Sequence, residues 1–212
     1  MPTAQQIRRY WKPAVFAACA APLVVIALRI AGFGPSLGAN PIEVLQDEFG
    51  EWALRLLLAT LAITPLRLAI GRPWPLRFRR MLGLFAFAYA VLHFTNYLIL
   101  DQELDWPAIT EDILDRPFIT LGFAALMLLV PLAITSTQGW QRRLGARWGA
   151  LHRLIYVAAI LVCWHFWWQV KKDWTEPAIY AAILAALLGI RLWRRTRRRN
   201  NLETTRVASS VS

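Results

Sequence analysis

Cysteine is scarce in this sequence. Cys19 and Cys163 are the only two in 212 residues, they lie in separate apolar stretches, and no CxxC spacing occurs. That pattern excludes a disulfide framework and a zinc ribbon, and leaves two small buried apolar side chains as the ordinary reading. Charge is scarce as well. Charged residues make up 17% of the chain against 57% apolar residues and 11 tryptophans, a balance that does not describe a soluble domain. There is no nucleophile-base motif, no Gly-rich phosphate loop, no Rossmann fingerprint and no internal repeat. The net charge of +11 argues little for a nucleic-acid partner, because Lys and Arg fall in the connections between apolar runs and form no basic face.

What is present is six apolar runs long enough to cross a bilayer core, which needs about 20 residues of helix with every backbone group satisfied internally. The runs span Pro13 to Ala31, Trp52 to Leu68, Met81 to Leu100, Phe118 to Ile134, Ala150 to Val170 and Pro177 to Trp193. Pro22 and Pro131 fall inside spans, tolerable where a neighbouring helix takes the freed carbonyl. The connections alternate in sign. Arg8, Arg9 and Lys12 precede the first run; Glu43, Asp47, Glu48 and Glu51 follow it; Arg67, Arg72, Arg77, Arg79 and Arg80 come next. The acidic stretch from Asp101 to Asp115, the basic loop of Arg142, Arg143 and Arg147, and the Arg-rich stretch from Arg191 to Arg199 repeat the order, broken only by Lys171 and Lys172. The positive-inside bias then predicts an all-α integral membrane protein, a six-transmembrane-helix bundle with both termini cytoplasmic and acidic loops outside. Residues 1–200 are expected to form one membrane domain in contact with lipid, and 201–212 a polar, disordered cytoplasmic tail.

All three histidines fall within the predicted spans, where ionisable side chains mark functional sites by default. His93 lies eight residues before Asp101, and His165 six before Lys171, or roughly 12 Å and 9 Å below the outer boundary at the helical rise. Two imidazoles at nearly one depth on neighbouring helices can ligate a metal. Zinc wants three or four protein ligands and finds none at this level; haem needs two axial ligands, an apolar slot and cations for its carboxylates. Arg29 and Arg55 are the candidate cations, with snorkelling, and a Glu51 to Arg55 pair at i,i+4, as the alternative. His152 is 13 residues from His165, roughly 20 Å along the helix, so the two cannot share a metal. At its level the third span carries Arg79 and Arg80, so His152 is a candidate for a second haem, a quinone contact, a flavin phosphate contact or an interfacial hydrogen bond. Phe94, Tyr97, Trp164, Phe166, Trp167 and Trp168 form an interfacial belt near the outer pair, and Gly83, Gly122, Gly145 and Gly149 allow close helix approach.

The runs LRLLLATLAITPLR (Leu54 to Arg67), RRMLGLFAFAYAVLHF (Arg79 to Phe94), RPFITLGF (Arg116 to Phe123), PLAITS (Pro131 to Ser136), RRLGARWGALHRLIY (Arg142 to Tyr156) and WHFWW (Trp164 to Trp168) resemble the MsrQ (formerly YedZ) family. These are the haem-binding membrane subunits of bacterial periplasmic protein-methionine-sulfoxide reductase systems, grouped with the ferric-reductase-like transmembrane domains. The resemblance implies haem b, an association with FMN, and His93, His152 and His165 as haem-ligand candidates. It further implies an electron-transfer subunit, itself non-catalytic, in the bacterial inner membrane. Electrons would pass from the respiratory quinone pool to MsrP, the periplasmic molybdopterin subunit that reduces methionine sulfoxide in oxidised proteins. The rival is a colourless membrane transporter using its histidines as proton relays, which predicts acidic residues near the midplane, and the spans carry none there.

Overall fold

The computed structural model describes residues 3–170 and 172–210, and among these it is helical with no strand. Six helices are long and apolar enough to cross a membrane: α1 (Ala4–Ile30), α2 (Pro41–Ile70), α3 (Trp74–Asp101), α5 (Pro117–Ile134), α7 (Ala146–Gln169) and the Thr175–Arg197 part of α8 (Thr175–Ser210). Two shorter helices lie in the connections, α4 (Trp106–Asp115) before α5 and α6 (Gln138–Leu144) after it. Lys171 and the last two residues lie outside the described ones.

Local chemistry sets the ends. The Asn40 side chain accepts the Glu43 backbone N–H at 3.3 Å, Pro41 takes the first helical position where no N–H is needed, and Gly71 closes α2 at φ 69°, a backbone region that glycine enters without a Cβ penalty. Asp105 caps α4 by accepting from Ala108 at 3.2 Å, and Thr137 caps α6 through Trp140. The first of these caps changes one expectation. The acidic stretch from Glu43 to Glu51 is the opening of α2, not a loop, because a cap, a proline and acidic groups near the helix N-terminus all favour helix there.

Toward the C-terminal end the backbone of residues 201–210 continues α8. No Gly or Pro interrupts the chain after Gly189, and extending an existing helix avoids the cost of nucleation.

Helices α2, α3, α5 and α7 form the centre. α2 lies along α3 and α5 along α7; the two pairs join through α3 with α5 and α2 with α7, and α1 and α8 pack on the outside. Tyr89, Ala158 and Ala159 are fully buried, with Leu54 and Leu61 nearly so. By contrast Val24, Ile30, Ile134, Val157 and Ile160 are exposed on the outer surface, the arrangement expected where the surrounding solvent is hydrocarbon.

Side chains bond to helix carbonyls near three internal prolines, and at Pro65 the bond repairs the break. The Tyr89 hydroxyl of α3 donates to the Cys19 carbonyl at 2.9 Å, within the turn preceding Pro22. Pro65 has no N–H for the Leu61 carbonyl four residues back, and the Arg191 guanidinium of α8 donates to that oxygen. At Pro131 the Thr135 hydroxyl donates back to the proline carbonyl at 2.6 Å. Within a membrane a repair like that at Pro65 makes a helix proline tolerable.

Candidate functional site

The antiparallel order of α2, α3, α5 and α7 brings the start of α2, the end of α3, the start of α5 and the end of α7 to one end of the bundle, the end that carries the acidic residues. A cavity of about 570 Å³ opens there between the four helices, inside the range of small-molecule and cofactor sites. His93 of α3 and His165 of α7 line it from opposite sides. Their ring centroids are 6.1 Å apart and the rings are nearly perpendicular, at 85°.

Each ring is fixed by a backbone carbonyl on the helix it faces. His93 Nδ1 lies 2.9 Å from the Gln46 carbonyl of α2, and His165 Nδ1 lies 2.6 Å from the Phe118 carbonyl of α5. A carbonyl only accepts, so both Nδ1 atoms carry the proton and both Nε2 atoms hold a lone pair, the tautomer a metal ligand needs. Each ring also rests against a glycine. A Cβ built on Gly50 meets His93 Nδ1 at 2.9 Å, and one built on Gly122 meets the His165 ring at 2.9 Å. No other residue type leaves that room. Phe118 lies nearly parallel to His165, with centroids 6.3 Å apart.

Around His93 a polar chain continues. The Gln46 side-chain amide lies 3.2 Å from His93 Nε2, and Asn96 Nδ2 donates to Gln46 Oε1 at 2.7 Å and to the Ile42 carbonyl at 3.2 Å. Asn96 is 5% exposed, and its Oδ1 has no hydrogen-bond partner among the described residues. The chain gives His93 a polar neighbour at both ring nitrogens, whereas the bond described for His165 is to Nδ1 alone.

These residues fit haem. With metal-nitrogen bonds of about 2 Å, and a ring centroid about 1.1 Å behind its nitrogen, a linear bis-imidazole iron sets the two centroids about 6.2 Å apart. The observed 6.1 Å matches that separation, and the Gln46 amide, 3.2 Å from His93 Nε2, would have to turn aside for a metal to bind there. Among the described residues no cluster of three or more His, Cys, Asp or Glu is placed to hold a metal ion, so a metal carried largely by its own macrocycle suits this donor set better than zinc does.

The remaining expected site residues lie elsewhere. His152 is in the break between Ala146–Leu151 and Leu154–Gln169, near the opposite end of α7 and away from the cavity. Its Nε2 is 3.0 Å from Thr135 Oγ1, whose proton goes to the Pro131 carbonyl, so the histidine Nε2–H donates. The ring stacks on Trp148 at 4.0 Å between centroids, and Trp148 Nε1 donates to the Thr135 carbonyl at 2.9 Å. The group ties α7 to α5. Arg29 pairs with Glu48 at 2.7 Å and donates to the Pro35 carbonyl, while Arg55 pairs with Glu51 at 2.5 Å and donates to Tyr180. Neither arginine lines the cavity; Arg116 does. Gln46, Gly50, Asn96 and Arg116 are the site residues that sequence reasoning missed, and Gly50 carries no signal in the sequence because it lies within the acidic stretch from Glu43 to Glu51.

The fold is a polytopic helical membrane bundle whose central helices enclose a cavity lined by two carbonyl-anchored histidines. Residues 49–163 match the family described as ferric reductase like transmembrane component. A relative from Xanthomonas campestris pv. campestris (strain 8004) is 54% identical over 188 residues, 87% of this chain and 86% of its own. One from Rhodospirillum rubrum is 54% identical over 194 residues, 91% and 92% of the two chains, and one from Xanthomonas oryzae pv. oryzae (strain MAFF 311018) is 52% identical over 188 residues. Each carries the name protein-methionine-sulfoxide reductase heme-binding subunit MsrQ. The chain belongs to the MsrQ family, with a ferric-reductase-like transmembrane domain, and is a multi-pass bacterial membrane protein.

Proposed function

We propose that this protein is the haem b electron-transfer subunit of a methionine-sulfoxide reductase system, with His93 and His165 as the axial ligands. The facing of the two rings at 6.1 Å, each with its Nδ1–H bonded to a carbonyl, is the observation that carries the reading. When bound, the haem supplies a one-electron iron couple whose potential responds to axial ligation, hydrogen bonding and burial. The chain does the rest. His93 and His165 would offer Nε2 as the ligand atoms, Gly50 and Gly122 leave room for the two rings against α2 and α5, and Phe94, Leu126 and Phe166 add apolar lining. Two protein ligands leave no free coordination position, which favours electron carriage over oxygen chemistry.

In this reading the termini and the basic loops face the cytoplasm of the inner membrane, and the acidic end faces the periplasm. Electrons come from quinol at the inner side, near His152, and leave at the acidic end for the molybdopterin subunit MsrP. FMN is carried over from the family resemblance, with the basic inner face as its side. The periplasmic partner performs the sulfoxide chemistry, and this subunit is non-catalytic. The test is pyridine haemochrome quantification with visible spectra of the purified protein and of His93→Ala, His165→Ala and His152→Ala. Loss of the low-spin reduced spectrum in the first two variants, with most of it kept in the third, is expected. A colourless wild type points to the transporter reading, and an unaltered low-spin spectrum in His93→Ala removes the pairing.

A further inference from the structure

Two axial imidazoles fix an iron but leave a porphyrin free to turn about the ligand axis, so something else must choose which edge carries its two carboxylates. Electrostatics at the cavity makes the choice sharp. Six carboxylates line it, those of Glu43, Asp47, Glu51, Asp101, Glu103 and Asp112, and among the described residues Arg116 is its one arginine or lysine. An anionic edge turned toward the other charged residues meets like charge, and one turned inward meets the apolar lining of Leu54, Leu57, Leu126 and Leu129.

Arg116 is also aimed. Its Nε forms an ion pair with Asp112 Oδ1 at 3.0 Å, with the Arg116 side chain 58% exposed, and the Tyr97 hydroxyl donates to Asp112 Oδ2 at 3.3 Å. Tyr97 is buried, and the Asp112 side chain is 14% exposed. The carboxylate of Asp112 is thereby held by a phenol on α3 and spends itself on the back of the guanidinium. The two terminal NH2 groups make no hydrogen bond to any described residue, which leaves the forked face that matches a carboxylate. Arg116 immediately precedes α5, whose N-terminal dipole adds positive potential. Two residues on, Phe118 supplies the carbonyl that anchors His165, and Gly122 supplies its seat. One short segment thus presents a ligand anchor and an anion fork together.

We infer that Arg116, positioned by Asp112 and Tyr97, binds a carboxylate of the porphyrin and sets the macrocycle's orientation at the acidic mouth of the cavity. This rests on the haem reading above. It assigns to Arg116 the role that the sequence alone had suggested for Arg29 and Arg55, both of which are engaged with other carboxylates.

The test is reconstitution of full-length protein, made under haem limitation, with iron protoporphyrin IX and separately with its dimethyl ester, which keeps the iron and ring but has no carboxylate charge. Arg116→Gln is expected to weaken protoporphyrin binding about tenfold, the loss of one charge-assisted pair, and to leave ester binding within about twofold of wild type. Arg116→Lys, which keeps the charge but loses the fork, is expected to fall between. Equal weakening for both porphyrins, or no weakening for either, overturns the assignment. Binding of neither porphyrin by the wild type defeats the haem reading itself, and the His93→Ala and His165→Ala variants, expected to lose both porphyrins, separate that failure from this one.

Discussion

Arg191 of α8 and Leu61 of α2, 130 residues apart, are joined by a hydrogen bond from the guanidinium to the carbonyl that Pro65 leaves without a helical donor. The guanidinium also lies over the Tyr156 ring, 5.4 Å from its centroid. Arg191→Leu removes the donor and leaves a carbonyl unsatisfied among leucines. The expected loss is about 1–3 kcal/mol, read as a lowered midpoint of thermal unfolding in detergent, with the haem spectrum at low temperature unchanged. Arg191→Lys should recover part of it.

Tyr89 makes a cross-helix bond to α1. It is fully buried and donates to the Cys19 carbonyl at 2.9 Å. Tyr89→Phe keeps the ring and its packing, so the cost should be about 1 kcal/mol, smaller than for a cavity-forming change at the same site. Chemical unfolding monitored by tryptophan fluorescence measures it, and a Tyr89→Phe variant as stable as wild type would show that the Cys19 oxygen is satisfied without it.

The two ring seats can be separated from ordinary helix packing by three alanine variants. In Gly50→Ala and Gly122→Ala the new methyl lies 2.9 Å from a histidine ring, whereas in Gly83→Ala it meets Thr60 Cγ2 at an ordinary 3.6 Å. The first two should lower the haem-to-protein ratio several-fold or broaden the low-spin electron paramagnetic resonance signal, because an imidazole must turn or its helix must move. Gly83→Ala should leave both unchanged. Equal behaviour of all three would mean that the glycines serve only close approach.

Asn96 acts on His93 at one remove, by donating to the side chain of Gln46, whose amide nitrogen lies 3.2 Å from His93 Nε2. Asn96→Leu removes the side chain's two hydrogen bonds and leaves the Gln46 amide free to reorient. Haem content is expected to stay within about twofold while the spread of ligand-field parameters widens, since a neighbour of the ligand sets its orientation and basicity. An unchanged resonance spectrum would restrict Asn96 to packing.

Much of this architecture is visible in the sequence because two of its signals are long-range averages. Apolar length marks the six crossings, and the alternation of charge orders their ends, which brings His93 and His165 to one height before any contact is known. What the sequence hides depends on side-chain direction across helices. Gly50 and Gln46 belong to a stretch that looks like an acidic loop, and only the Asn40 cap and Pro41 reveal it as helix. Arg29 and Arg55 attract attention as cations within apolar runs, yet Glu48 and Glu51 lie close enough to neutralise them. Arg116 looks like one more charge in a polar connection, and its significance comes from Asp112 and Tyr97, which α4 and α3 bring to it.

The carbonyl anchors at Gln46 and Phe118 bear on the order of assembly. Because protein oxygens orient the two imidazoles, the rings are set when the helices dock, and under the haem reading proposed above the entropic cost of aligning the ligands would be met during folding. The macrocycle would then enter a bundle already built.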